Sequence, residues 1–153
     1  MEHIKPPEQL WHEGPNYTSD AIIIDEHDRI CLIKRKSDGS WALPGGFRET
    51  DEGALAAAQR EAFEEAGCVL GQGYIVYSGR VEDPRNNDNR WIESDAFLFK
   101  ATGETLTAGD DATDAMWCAL NQLPELYGSH LDMILSALDV LSQYGLATTE
   151  VLA

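Results

Sequence analysis

The stretch that constrains the fold most is a strongly helix-forming segment, ALAAAQREAFEEA, followed directly by Gly67. Ala, Leu, Gln, Arg and Glu all favour helices, and glycine often ends a helix because it adopts the left-handed conformation easily. Thr50 and Asp51 are candidate N-caps, and Glu52 would complement the helix dipole in the first turn. A helix defined this clearly, with shorter β-prone runs on both sides of it, indicates an α/β fold.

The runs around this helix predict several strands. We expect two strands joined by a polar turn within 20–36, a short apolar piece at 41–47, longer strands at 74–80 and 91–100, and another at 115–120. Several strands with one helix in the middle and one at the end predict a sandwich with a mixed sheet.

A second amphipathic helix is predicted near the end of the chain. Ser129 is its expected N-cap and Gly145 its stop, after a short helical turn at 123–127. Its predicted apolar stripe consists of Leu131, Ile134, Leu135, Leu138 and Leu141. Glycine and proline near the N-terminus predict an extended arm over 1–19, with a single domain over 20–153.

The net charge of −16 limits the partners of this protein. Such a surface repels phosphate backbones and anionic membranes, which argues against nucleic acid as a general partner. No stretch has the apolar length of a membrane helix, and the N-terminus lacks the apolar region of a secretory signal. We therefore expect a cytoplasmic protein. An anionic substrate would need a bound cation or a few arginines to reverse the local sign.

The cysteines support the same compartment. Cys31, Cys68 and Cys118 are odd in number, and none belongs to a C-x-x-C motif. Each lies beside apolar residues, so we predict small buried side chains rather than a disulfide pair or a zinc site.

Three glutamates of the first predicted helix form one acidic face. Glu61, Glu64 and Glu65 lie within an arc of about 100°. Carboxylates this close repel one another, and a hard divalent cation such as Mg²⁺ would convert the repulsion into binding. A solvated acidic face is the alternative. A different face carries Leu55, Ala62, Phe63 and Ala66 and is predicted to pack on the sheet.

The residues around these acids resemble the signature of the Nudix hydrolases. The spacing G-x5-E-x7-R-E-x-x-E-E-x-G is met by Gly46, Glu52, Arg60, Glu61, Glu64, Glu65 and Gly67. The resemblance implies a Nudix α/β/α sandwich with a mixed sheet and a loop–helix–loop motif that binds Mg²⁺ or Mn²⁺. It implies that Glu61, Glu64 and Glu65 bind metal and activate water, and that Gly45 offers a carbonyl to the metal. Arg60 would orient a glutamate, and Glu52 would tie the loop to the helix.

Segments outside this motif are similar to mitochondrial-type ADP-ribose pyrophosphatases and to the ADP-ribose-sensing domain of a related cation channel. They are Gly14-Pro15-Asn16 with Asp20, IKRK with WALPGG, EDPRNNDNRWIES, GDDA with Trp117, and LYGSH. The resemblance implies hydrolysis of ADP-ribose to AMP and ribose 5-phosphate by a monomer.

The same resemblance implies a set of substrate contacts. Asp83 and Arg85 would face the terminal ribose, Leu126 and His130 the adenosine and diphosphate end, and Asp20 would line the site. Physical chemistry agrees for the first pair, since a carboxylate accepts hydrogen bonds from hydroxyls and a guanidinium grips oxyanions. A plain Asx-Pro turn with a solvated arginine is the alternative.

Two further assignments stay open. Asp111 is the candidate for an extra metal ligand or general base, against Asp110 or a simple turn, and Glu93 is a weaker candidate. The residue that stacks on adenine is one of Tyr17, Trp41 and Tyr127. The proton acceptor among the glutamates is not identified.

The functional alternatives are a non-hydrolysing ADP-ribose sensor and a Nudix hydrolase of another substrate, such as a nucleotide sugar or a dinucleoside polyphosphate. Sensors tend to lose residues of the motif, whereas Arg60, Glu61, Glu64 and Glu65 are all present here. Catalysis is therefore favoured.

Overall fold

The structure, a computed structural model, describes residues 10–143. Its elements in chain order are β1 (Gly14–Ile24), β2 (Arg29–Arg35), β3 (Trp41–Ala42), β4 (Gly45–Phe47), α1 (Ala54–Ala66), β5 (Gly73–Arg80), β6 (Arg90–Lys100), β7 (Ala112–Ala119), a 3-10 turn (Leu120–Gln122) and α2 (His130–Gln143). Within this part of the chain, no helix has the length and apolarity needed to cross a membrane.

The sheet is mixed, as predicted. Its main path runs β3-β2-β1-β6-β5, with β4 also paired to β1 and β7 to β2. β1 and β6 are parallel from Gly14↔Arg90 to Ile24↔Lys100, whereas the other pairs are antiparallel. The central strand β1 therefore contacts both β4, next to α1 in the chain, and β6.

The two faces of the sheet bury two different cores. Along β1, successive side chains alternate between faces. Ala21 and Ile23 pack with the alanine face of α1, whereas Ile22 and Ile24 pack in the core that contains residues of α2. The predicted sandwich of two helical layers around a mixed sheet is confirmed.

Helix α1 spans the predicted run and differs from the prediction in its N-cap and in one residue of its packed face. Its N-cap is Gly53 without a side-chain cap, so neither Thr50 nor Asp51 takes that role. Phe63 is 59% exposed, because the helix packs through alanines at positions 57, 58, 62 and 66. The C-cap was predicted correctly: Gly67 has a φ of 76° and its N–H donates to the Phe63 carbonyl.

Helix α2 buries only part of the predicted stripe, since Ile134 and Leu141 are buried and Leu138 packs against the same core. Leu131 and Leu135 are 45% and 52% exposed. The buried residues of α2 are Met133, Ile134, Ala137 and Leu141. The Ser129 hydroxyl accepts the Glu82 N–H (2.8 Å), so its oxygen links α2 to the loop after β5.

Three boundaries also differ or lie outside the description. The helical turn occupies Leu120–Gln122 instead of 123–127. Residues 14–19 of the predicted arm belong to β1, because they pair with β6, so the sheet begins before residue 20. Residues 1–9 and Gly145, the predicted stop of α2, lie outside the described residues.

Candidate active site

The glycine pair of β4 lies between β1 and the glutamates of α1. Gly45 pairs with Asp20, and Gly46 pairs with Ser19. A Cβ on Gly45 would overlap the Asp20 carboxylate, and one on Gly46 would overlap the Glu61 carboxylate. Only glycine permits this approach of loop and helix. The Gly45 N–H donates to Glu65 Oε1 (2.9 Å), which fixes the glutamate against the loop.

Arg60 is the centre of an ionic network on α1. Its Nε and Nη2 donate to the two oxygens of Glu52 (2.7 and 2.9 Å), and Nη1 donates to Glu64 (2.9 Å) and Glu61 (3.3 Å). Nη2 also donates to the Phe47 carbonyl (3.1 Å). These hydrogen bonds lower the pKa of Glu52 and raise that of Arg60. One guanidinium therefore joins the loop after β4 to the acidic face of the helix.

Two of the three glutamates have strongly raised pKa values. Burial, and then the charge of Glu64, raise the pKa of Glu61 to about 7 against the pull of Arg60. Burial and then the charge of Glu61 raise the pKa of Glu65 to about 9. Carboxylates that hold protons this strongly are costly to ionise in place, and a nearby cation reverses that cost.

The loop before β7 brings further carboxylates close to this pair. The charge of Asp110 contributes to the raised pKa of Glu61, and that of Asp111 to the raised pKa of Glu65. The loop packs on the end of α1, where the Gly109 N–H donates to the Glu65 carbonyl (3.3 Å). Asp110 and Asp111 are both exposed, so the structure keeps both as candidates for the extra acid.

The donor set fits a hard divalent cation. Glu61, Glu64 and Glu65 supply carboxylate oxygens, which are the ligands that Mg²⁺ and Mn²⁺ prefer. Across residues 10–143, no three Asp, Glu, His or Cys side chains converge as a ready-made cage. The contacts explain this, because Arg60 and the Gly45 N–H engage the three glutamates separately.

A second polar cluster contains Asp83 and Arg85. Arg85 donates to both Asp83 oxygens through Nε (2.8 Å) and Nη2 (2.9 Å), and the Tyr127 hydroxyl donates to Asp83 Oδ2 (2.9 Å). The Asp83 side chain is only 4% exposed and the Arg85 side chain only 9%. Burial opposes ionisation of Asp83, but the hydrogen bonds from Arg85 lower its pKa overall. The arginine is thus bound internally and is not the solvated side chain of the simple-turn alternative.

His130 and Asp20 meet on the other side of the Gly45 loop. The Leu43 N–H donates to His130 Nδ1 (3.0 Å), and His130 Nε2 lies 3.5 Å from Asp20 Oδ1. The Ser94 hydroxyl donates to Asp20 Oδ2 (2.6 Å). Burial lowers the pKa of His130 and raises that of Asp20. Both side chains therefore have partners within the protein.

The remaining candidates lie around these clusters. Leu126 forms an isolated bridge with Trp41, and the guanidinium carbon of Arg35 lies 3.6 Å from the centre of the Tyr127 ring. Glu93 accepts a hydrogen bond from the Trp91 indole N–H (2.9 Å).

Sequence reasoning missed the internal roles of Ser94, Arg35 and Leu43. For Leu43 and Ser94 no local signal exists, because their partners are distant in the chain. The string LYGSH was a usable signal, since its Tyr127 and Ser129 contact Asp83 and Glu82 in the loop after β5 and its His130 contacts Leu43.

The sandwich fold with a glutamate-rich helix beside the Gly45–Gly46 pair is the arrangement that the resemblance to the Nudix hydrolases implied. Comparison with known proteins identifies the same family. The NUDIX domain family matches residues 15–136. The chain belongs to the Nudix family, as the resemblance predicted.

Particular relatives include putative nudix hydrolase 6 of Caenorhabditis elegans and the mitochondrial ADP-ribose pyrophosphatase of Rattus norvegicus. Each is 35% identical over 79% of this chain, and the matches cover 54% and 47% of those proteins. The chain thus spans about half the length of these two relatives. An ADP-ribose pyrophosphatase of Methanocaldococcus jannaschii is 40% identical over 73% of this chain and 67% of its own length.

Solved structures share the fold. A MutT/nudix family protein from Enterococcus faecalis has a TM-score of 0.75 at 26% identity, covering 89% of this chain and 65% of that one. The NUDIX domain of Shewanella oneidensis NrtR, in complex with ADP ribose, has a TM-score of 0.73. At 23% identity over 85% of this chain and 90% of that one, the latter match shows the fold alone.

Proposed function

We propose that this protein hydrolyses the diphosphate linkage of ADP-ribose to AMP and ribose 5-phosphate in a Mg²⁺-dependent reaction. The observation that carries the proposal is the complete cluster of Glu61, Glu64 and Glu65 around Arg60, held against Gly45. The identity to two ADP-ribose pyrophosphatases supports the choice of substrate.

Glu61, Glu64 and Glu65, with the Gly45 carbonyl, would hold the metal. A bound divalent cation supplies charge neutralisation on the diphosphate and a lower pKa for a bound water. Arg60 orients Glu61 and Glu64 through its Nη1, and Glu52 in turn fixes Arg60. Asp111, on the exposed loop beside Glu65, is our candidate general base.

The substrate would extend from this cluster towards two others. Asp83 and Arg85 are proposed to face the terminal ribose, since Arg85 engages Asp83 through Nε and one Nη and retains its second Nη outside that pair. Asp20 and Leu126 would border the adenosine and diphosphate end, with His130, implied there by the resemblance, next to Asp20. The aromatic that stacks on adenine is one of Tyr17, Trp41 and Tyr127, and Arg35 already covers one face of the Tyr127 ring.

A substrate panel with Mg²⁺ tests the proposal. ADP-ribose, a nucleotide sugar, a dinucleoside polyphosphate, NADH and nucleoside triphosphates are compared by release of phosphate in a coupled assay. We expect a clear preference for ADP-ribose that disappears on chelation. Turnover of only another compound of the panel would support Nudix hydrolysis but contradict ADP-ribose as the substrate. Absence of turnover, with thermal stabilisation by ADP-ribose, would favour a sensor.

Divalent cations should stabilise the fold in a pH-dependent way. An unfolded glutamate titrates near 4.5, whereas folded Glu61 and Glu65 titrate at about 7 and about 9. Between these values the metal-free folded state binds more protons than the unfolded state, so its free energy of unfolding falls as pH rises. Mg²⁺ competes with those protons. We expect a larger Mg²⁺-induced rise in Tm at about pH 8 than at about pH 5.5, measured by differential scanning fluorimetry. An equal rise at both values would contradict binding at these glutamates.

Arg85→Ala should reduce kcat/KM for ADP-ribose more than it weakens the binding of a nucleotide that lacks the second ribose. The expected loss for ADP-ribose is about ten- to a hundredfold in kcat/KM, the scale of one charge-assisted contact. Inhibition by ADP serves as the reference for the part of the molecule that Arg85 is not proposed to touch. Equal losses for both would reject the ribose role and leave Arg85 as the internal partner of Asp83.

Two other expectations accompany the proposal. Three free, buried cysteines support a cytoplasmic location. The monomeric state stays a prediction from the resemblance.

A further inference from the structure

Both ring nitrogens of His130 face groups of the protein, and one of them lies at hydrogen-bond distance. Nδ1 accepts the Leu43 N–H (3.0 Å), so in this neutral ring the proton is on Nε2. Nε2 faces Asp20 Oδ1 at 3.5 Å, longer than the usual range of a hydrogen bond. The firm contact of the ring is therefore the one with the backbone of Leu43.

Leu43 begins the segment that carries the glycine pair. It is 2% exposed, so its N–H has no solvent to replace a lost acceptor. The next residue, Pro44, has no N–H, and its carbonyl accepts from Ala21 (2.8 Å). The following N–H, that of Gly45, donates to Glu65. Three successive residues thus connect α2, β1 and α1.

We propose that His130 is a positioning residue that holds the Leu43–Gly45 segment in the position in which the Gly45 N–H can donate to Glu65. This inference differs from the substrate contact that the sequence resemblance implied for His130. This inference rests on the proposed function only in its kinetic test, which uses ADP-ribose as the substrate.

The ring is well placed for this role because α2 is anchored independently. The Ser129 hydroxyl, directly before α2, accepts the Glu82 N–H (2.8 Å), so the start of the helix is fixed to a segment other than 43–45. Met133 and Ile134 are fully buried in the core beneath the same helix. His130 therefore projects from a rigid base onto the loop, so that the position of the loop follows that of the helix.

Two amide variants distinguish the roles of the two ring nitrogens. In His130→Asn, the side-chain oxygen replaces Nδ1 and can still accept from Leu43. In His130→Gln, the side-chain nitrogen replaces Nε2 and can reach only towards Asp20. His130→Ala removes both, and Leu135→Ala on the exposed side of α2 is the control.

The primary readout is amide hydrogen exchange at Leu43 and Gly45, measured by NMR and compared with global stability. We expect exchange about tenfold faster or more in the Ala and Gln variants, with protection retained in the Asn variant. With ADP-ribose as substrate, kcat should fall in the first two while KM changes little. If His130→Ala does not fold, the contrast between Asn and Gln still decides.

Unchanged exchange in the Gln variant would overturn the proposal. So would a raised KM in all three variants with protection intact, because that pattern describes a substrate contact. Should the wild-type protein not hydrolyse ADP-ribose, the proposed function fails, while the exchange measurements still test the role of His130.

Discussion

Glu65→Gln and Glu64→Gln should each reduce kcat by about a hundred- to ten-thousand-fold while the protein stays folded. Either change removes one negative charge from the donor set around Arg60 and Gly45. The fold should survive Glu65→Gln, because the amide oxygen can still accept the Gly45 N–H. Without metal, this variant should even unfold at a higher temperature, since burial and the charge of Glu61 disfavour ionised Glu65.

The measurement combines steady-state turnover with thermal unfolding in the presence and absence of Mg²⁺. Glu125→Gln is the matched control, because it makes the same chemical change at an exposed position. The variants at 64 and 65 should lose most of the Mg²⁺-induced rise in Tm, whereas the control should retain it. Turnover at the wild-type rate in both Glu64→Gln and Glu65→Gln would contradict the proposal that the glutamates of α1 bind the metal.

Arg60→Ala should lower both stability and activity. It leaves Glu52, Glu61 and Glu64 without their shared cation, and all three are at least partly buried. We expect a decrease of about 2–4 kcal/mol in the free energy of unfolding, below the figure for a fully buried pair because Arg60 is partly exposed. Turnover should fall at least about tenfold, since an orienting contact of the glutamates is lost.

Chemical denaturation and turnover measurements check this prediction, with Arg60→Lys as the comparison. Lysine keeps the charge but cannot donate in parallel to both oxygens of Glu52, so it should recover only part of the loss. Mg²⁺ should raise the Tm of Arg60→Ala more than that of the wild type, because it neutralises the same acids. A lysine variant equal to the wild type would show that charge alone matters.

Local patterns predicted the parts of this protein that depend on neighbouring residues. The acidic face of α1 and its end at Gly67 follow from helical spacing and from the conformational freedom of glycine. The helix Ala54–Ala66 coincides with the predicted run, but its N-cap was predicted wrongly, because the Glu49 carbonyl and Arg60 engage Glu52 in a turn before the helix. That turn uses Thr50 and Asp51 outside the helix, whatever their capping propensity.

The contacts around Asp83 and around His130 could not be predicted in this way. His130 meets Leu43, and Tyr127 meets Asp83, across long stretches of chain. Hydrophobic periodicity carries no information about such pairs, since many arrangements of the same elements satisfy it. The exposed Phe63 has a related cause, because α1 packs on this core through Ala58, Ala62 and Ala66, with Leu55 against them.

The parallel pairing of β1 with β6 has a consequence for how the chain is made. The β2 and β4 neighbours of β1 follow it closely in the sequence, but every register partner in β6 lies much later and is synthesised after them. Until β6 is synthesised, one edge of the most buried strand stays open. Parallel pairing between distant segments is slow to form, so we expect nascent chains that end before residue 90 to aggregate or recruit chaperones. The glutamates of α1 are thus translated before β6, the strand that completes the sheet beneath them.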